Sequence, residues 1–97
     1  MDIKIDRNSV EPEHSFEKYA HEKCQKYFDK YHFLQSIQIF LRGDKHPTKK
    51  VKLHANLKGK EIFASAEGSQ HHDAFDAALD KMGKQVEKYK TLRYTAH

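Results

Sequence analysis

The sequence predicts an α+β fold, a two-layer sandwich of element order β-α-β-β-β-α in which a four-stranded sheet carries two helices on one face. Three observations predict it. Four stretches alternate apolar and polar residues with a period of two, and two longer stretches repeat apolar residues in steps of three and four. The alternation leaves each strand apolar on one side only, so two amphipathic helices suffice to cover the sheet while its other face stays wet. Strand order does not follow from these patterns.

Ile3 and Ile5 alternate with Asp2, Lys4 and Asp6, which predicts a strand over about residues 2–7. From Glu13 to Tyr31 the residues Phe16, Tyr19, Ala20, Cys24, Tyr27 and Tyr31 keep helical spacing, and Pro12 and Glu13 suit a first turn. Ile37, Ile39 and Leu41 mark a second strand. Val51, Leu53, Ala55 and Leu57 mark a third, and Ile62, Ala64 and Ala66 a fourth; "LKGK", Leu57 to Lys60, is the hairpin between them. Phe40 and Phe63 are then isolated aromatics on the wet face, beside Lys52, His54 and Asn56. Gly68 and Ser69 end the last strand and offer an N-cap to a second helix, which carries Phe75, Ala78, Leu79, Met82, Val86 and Tyr89 to about Lys90.

Composition narrows the class of protein. The 97 residues contain no Pro/Gly/Ser-rich linker, no internal repeat and no low-complexity tract, so one domain spanning 1–97 is expected. Hydrophobic content is 37% and charged content 33%, but eleven aromatics (six Phe, five Tyr) and periodic apolar positions argue for a folded chain. The single cysteine, Cys24, has no internal disulfide partner and points to a reducing compartment. No apolar run reaches the ~18–20 residues of a membrane span, and "MDIKIDRNSVEPEH" lacks the order of a signal peptide. A cytoplasmic protein that contacts no membrane is expected.

The formal charge of +4 becomes informative through its distribution. At ~100° per residue, with Phe75 at zero, the apolar stripe of the second helix lies within about 60°, whereas Lys81, Lys84 and Lys88 gather at about 180–240°. Asp73, Asp76, Asp80 and Glu87 gather separately, at about 100–160°. Acids placed four residues before lysines for local pairing would intersperse the signs, and here they are sorted into lanes. The first helix repeats the trait, with Lys23, Lys26 and Lys30 along one flank of its apolar stripe. Side by side, the two rows would border one basic surface suited to a polyanion. The plainer explanation is a pair of solvated faces whose lysine stems cover the core edges. A second cluster, Lys45, Lys49, Lys50, Lys52, Lys58 and Lys60, has no acid between its ends and equally suits protection of a sheet edge.

Chemistry-bearing motifs are weak. His71-His72-Asp73 lacks HxxxH or HExxH spacing, and adjacent histidines on a helix point about 100° apart, so no metal is expected. Cys24 lies on an apolar stripe and reads as a small core residue. His54 on the wet face could stack on a base, but an ordinary exposed strand histidine is the plainer reading. With no phosphate loop, no Ser-His-Asp arrangement and no paired carboxylates, neither an enzyme nor a cofactor is expected.

"EIFASAEG", Glu61 to Gly68, and "DAALDKMGKQVEKYK", Asp76 to Lys90, resemble the ribosome hibernation promoting factor family, which includes the ribosome-associated inhibitor. "NSVEPEHSFEKYAHEKCQKY" fits the family's opening, and "IQIFLR" and "VKLHANLKGKEI" its middle strands, so the resemblance covers almost the whole chain. It implies a fold like double-stranded-RNA-binding domains, with docking in the small ribosomal subunit between head and body, over the messenger and transfer RNA path. An idle ribosome is the implied result. The family's basic helix positions match Lys23, Lys26, Lys81, Lys84, Lys88 and Lys90, which together with Lys30 form the expected rRNA-binding set. Relatives often carry Asp-Met-Tyr where this chain has Gln70-His71-His72, and arginine where it has Lys84. Gly83, inside a helix, costs roughly 0.5–1 kcal/mol relative to alanine, and close approach to rRNA and sequence drift explain it equally well.

After Lys90 only "TLRYTAH" follows, so the chain resembles the short promoting type, a monomer that leaves ribosome pairing to a second protein. Two rival classes stand beside this reading. A free-standing RNA-binding module would bind isolated duplex RNA, and a protein-interaction domain would use the exposed sheet face or an edge strand.

Overall fold

The computed structural model describes residues 2–43 and 48–94. Its element order is β1 (Asp2–Asp6), α1 (Phe16–Lys30), β2 (Leu34–Arg42), β3 (Lys49–Leu57), β4 (Lys60–Gly68) and α2 (His71–Tyr94). The β-α-β-β-β-α order expected from periodicity is the observed one. Lys45 and the last three residues of "TLRYTAH" lie outside the described residues.

The sheet runs β1-β2-β3-β4, which the sequence patterns left open. β1 pairs parallel with β2, Ile3 opposite Ile37 and Ile5 opposite Ile39, because α1 carries the chain back between them. The remaining pairs are antiparallel hairpin neighbours. The β3–β4 turn is the expected Lys58-Gly59 pair, with Gly59 at φ +82, a conformation that favours glycine.

Period two is visible in the burial. Ile37, Ile39, Leu41, Val51, Leu53, Ala55 and Ile62 are buried, whereas Lys50, Lys52 and Phe63 between them are exposed. The helices add Phe16, Ala20, Cys24, Phe28, Phe75, Ala78, Met82 and Val86 to the same cluster, so both cover one face. Cys24 is a buried core residue, as expected. Burial pushes its thiol up to about 12. Phe28, absent from the sequence-derived stripe, is fully buried, whereas Tyr19 and Tyr27 are only partly so. The stripe of α1 is therefore rotated from the predicted one toward Phe16, Ala20, Cys24 and Phe28. On the open face, Phe63 is exposed as expected but Phe40 is partly buried.

α2 runs on to Tyr94, past the expected end near Lys90, and the start of α1 also differs from expectation. α1 starts at Phe16, after Ser15 in the left-handed region (φ 67), so Glu13 is not part of its first turn. Glu13 instead reaches the start of α2, where its Oε1 accepts the His72 backbone N–H at 2.9 Å. Ser69, the expected cap of α2, donates its hydroxyl to Asp73 at 3.0 Å. The unpaired amides and positive end of α2 attract the Glu13 carboxylate, and the chain before α1 is held there rather than wound into helix.

Candidate nucleic-acid interface

The lysines are positioned by the seam between α1 and α2, which begins with tyrosines. Tyr19, Tyr27 and Tyr31 lie one or two helical turns apart, so they project along one side of α1. Opposite them α2 presents its acids. The Tyr19 hydroxyl donates to Asp76 at 2.5 Å and the Tyr31 hydroxyl donates to Glu87. The bond to Asp76 above all pushes the Tyr19 phenol up to about 12. Burial and then Glu87 push Tyr31 up, while the Tyr31 hydroxyl holds Glu87 below the usual carboxylate range. The acidic lane seen in the sequence thus has a structural partner: Asp76 and Glu87 join the helices, and the lysines are left to the outer surface.

Between the tyrosines, Gly83 admits Tyr27. A Cβ at Gly83 would stand 2.6 Å from the Tyr27 hydroxyl oxygen, so the close approach that explains this glycine is made by the protein's own side chain. The resulting groove, about 460 Å³, is lined by Lys26, Lys30, Lys84, Tyr27, Tyr31 and Gly83, with Asp80 and Glu87 in its wall. A neighbouring recess of about 300 Å³ shares Lys30 and Tyr31 and adds Lys90. Four of the seven expected lysines therefore line two adjoining recesses, Lys26, Lys30 and Lys84 the groove and Lys30 and Lys90 its neighbour.

Their present partners are weak. Lys84 stands 3.6 Å from Asp80 and Lys30 3.9 Å from Glu87, all largely exposed, and such pairs contribute only about 0–1 kcal/mol. The Lys30 ammonium also lies 5.2 Å from the Tyr31 ring centroid, and Lys23, further along α1, 5.4 Å from Tyr19. A phosphate oxygen competes readily with contacts of this kind.

The other lysines lie elsewhere. Lys81 donates to the Ser65 carbonyl on β4 at 3.0 Å, and Gln85, one turn on, donates to the Phe63 carbonyl at 2.9 Å. β4 is an edge strand, so these side chains satisfy backbone carbonyls that would otherwise face water or another chain. Lys88 follows Lys81 by two turns on that side of α2, and Lys23 stands one turn beyond the groove on α1. Of the second cluster, Lys50 and Lys52 lie on the open sheet face, and Lys58 and Lys60 flank the Gly59 turn.

His71 and His72 converge on Glu13, which no local spacing reveals. His71 is fully buried, with Nδ1 2.7 Å from Glu13 Oε2 and Nε2 3.3 Å from the Arg42 carbonyl; His72 Nδ1 lies 3.1 Å from Glu13 Oε1. Burial disfavours the Glu13 carboxylate, but the amides and rings of the two histidines outweigh it and lower its pKa to about 2. The cluster ties the segment before α1 to the end of β2 and the start of α2. Among the described residues no group of His, Cys, Asp or Glu is arranged to hold a metal ion.

Sequence reasoning also missed Tyr27 and Tyr31 as walls of the groove. Their i, i+4 spacing between lysines was the available signal.

Residues 3–93 match the family model described as Sigma 54 modulation protein / S30EA ribosomal protein. The ribosome hibernation promoting factor of Escherichia coli K12 is 32% identical over 93% of this chain and 94% of its own length. That of Pseudomonas putida KT2440 is 29% identical over 93% of this chain and 87% of its own. Among solved structures, a ribosomal subunit interface protein from Coxiella burnetii shares the fold with a TM-score of 0.82 at 23% identity, covering 94% of this chain and 99% of that one. The N-terminal domain of Thermus thermophilus Protein Y does so with a TM-score of 0.71 at 21% identity, covering 90% and 94%. The chain belongs to the Sigma 54 modulation protein / S30EA ribosomal protein family, and the resemblance to ribosome hibernation promoting factors holds from one end of its fold to the other.

Proposed function

We propose that this chain is a ribosome hibernation factor that binds the small ribosomal subunit in its messenger and transfer RNA channel and holds the ribosome inactive. One observation carries the reading: Lys26, Lys30 and Lys84 line the groove between the helices beside two tyrosine rings, and Lys90 lines an adjoining recess that shares Lys30 and Tyr31 with it. A row of ammonium groups over a rigid helix pair fits a folded phosphate backbone, where phosphate contacts position the protein and channel shape supplies selectivity. Lys23, Lys81 and Lys88 extend the contact on either flank. No bond is made or broken; the protein acts by occupying space, as a monomer of the cytoplasm, and ribosome pairing falls to a second protein.

The test is co-sedimentation with vacant small subunits at two salt concentrations, with and without bound messenger and initiator transfer RNA. Binding that weakens with salt and is blocked by the two RNAs is expected. A Lys26→Ala/Lys30→Ala/Lys84→Ala variant that folds normally yet pellets as tightly as the parent would remove the groove from the interface.

A further inference from the structure

The open face of the sheet carries an arrangement that the helix groove does not need. Phe63 is 54% exposed, and on that face it is the sole exposed large apolar side chain among the described residues. Its ring lies parallel to that of His54 on β3, with centroids 4.5 Å apart and an interplanar angle of 1°, and the Lys52 ammonium stands 5.7 Å from its centroid. The register explains the grouping: His54 is directly opposite Phe63, and Lys52 is opposite Ser65 on the same face. His54 is held in place by Glu61, whose Oε1 lies 2.9 Å from its Nε2. Next to this stack, Lys52 pairs in register with the partly buried Phe40, and Lys50 with Arg42.

Charge on this face differs between the inner and outer strands. On the central strands β2 and β3 every outward charge is a cation, namely Arg42, Lys50 and Lys52, and none makes an ion pair among the described residues. The acids sit on the outer strands, Asp2 and Asp6 on either side of Lys4 on β1 and Glu61 and Glu67 on β4, and Asp6, Glu61 and Glu67 accept hydrogen bonds from Asn8, His54 and Thr48. One flat ring among cations and amides is a poor seat for an apolar protein surface, which needs a continuous patch. It suits a planar base, which offers a π-face to the ring and phosphates to the lysines.

We propose that the open sheet face is a second RNA-binding surface, on which an unpaired base stacks against the Phe63–His54 pair while Lys52 and Lys50 take its flanking phosphates. It lies on the side of the sheet away from both helices, so it operates independently of the groove. A protein with both surfaces contacts a backbone with its helices and a looped-out or single-stranded nucleotide with its sheet.

The experiment titrates the isotope-labelled full chain with a ten-nucleotide single-stranded RNA, with a duplex of equal length, and with an abasic ribose-phosphate strand, following the Phe63 ring and the His54 and Lys52 signals by NMR. Expected are ring-current shifts at Phe63 and His54 with the single strand alone, and a loss of about tenfold or more in affinity for Phe63→Ala, with Phe63→Tyr retaining binding. Thermal melting of Phe63→Ala confirms that an exposed ring was removed without unfolding the chain. Equal affinity for the abasic strand, or shifts confined to the helix groove, would overturn the proposal. Shifts at Phe63 that grow with protein concentration in the absence of RNA, with dimers in sedimentation, would assign the face to a second copy and also overturn it. The Lys26→Ala/Lys30→Ala/Lys84→Ala variant separates this reading from the preceding one, since it is expected to lose small subunits and keep the single-strand shifts at Phe63.

Discussion

The Glu13 carboxylate spans the rings of His71 and His72, accepting at 2.7 Å from one and lying 3.1 Å from the other, and so joins the chain before α1 to the first turn of α2. Both ring nitrogens of the buried His71 face acceptors, Glu13 on one side and the Arg42 carbonyl on the other. A neutral imidazole has one N–H and fills one of these contacts; the protonated ring fills both.

Glu13 makes folding pH-dependent on the acid side. Its pKa falls from an ordinary 4.5 to about 2 on folding, so the unfolded chain takes up its proton first. The stabilisation is fully present above about pH 4.5 and is lost as pH falls toward 2. Glu13→Gln should therefore lower stability by roughly 2 kcal/mol at pH 7 and by little near pH 2, where the parent's carboxylate is half protonated and most of its charge-linked stabilisation is gone. Urea unfolding at the two pH values checks this; an equal loss at both would mean that shape, not charge, is what Glu13 supplies.

Gly83 and Tyr27 should be coupled. Alanine at 83 gains helix propensity of about 0.5–1 kcal/mol but places its Cβ 2.6 Å from the Tyr27 hydroxyl oxygen, so the ring must move. Gly83→Ala alone should be neutral or destabilising, and in a Tyr27→Phe background it should stabilise. A double-mutant cycle of thermal denaturations with a coupling under about 0.5 kcal/mol would show that the close approach carries no energy.

Replacing Lys84 and replacing Lys81 should have different consequences, although both belong to one lysine row. Lys84 lines the groove, so Lys84→Ala should reduce the dependence of small-subunit binding on salt by somewhat under one unit of log–log slope, with little change in melting temperature. Lys81 holds the Ser65 carbonyl on the edge strand, so Lys81→Ala should also increase amide exchange along β4. Hydrogen-exchange profiles of the two variants that cannot be told apart would count against the division.

Cys24 should resist alkylation in the native state. Its side chain is fully buried, and burial raises the thiol to about 12, which leaves almost no thiolate at pH 8. Iodoacetamide should label it only as fast as the chain opens; rapid labelling without denaturant would show α1 detaching from the sheet.

Element order, the one-sided strands and the apolar stripe of α2 were legible because each depends on periodicity within a single element, which the backbone imposes wherever an apolar face must be buried. Helix spacing also displayed the lysine rows. The sign sorting beside them was legible too, but its cause was not, because Tyr19 and Asp76 are 57 residues apart and Tyr31 and Glu87 56. The start of α1 was misplaced for the same reason: Glu13 has a better partner 59 residues away, at the amide of His72, than in the helix it precedes. For Gly83 the sequence left close approach to rRNA and drift equal, and the structure gives the space to Tyr27. By itself, then, the sequence determined the elements, the faces they bury and the supply of surface lysines. Only the tertiary structure decided strand order, which lysines share a groove, which one caps a sheet edge and which aromatic rings meet on the open face, because these depend on contacts between residues that come together only when the sheet and helices pack.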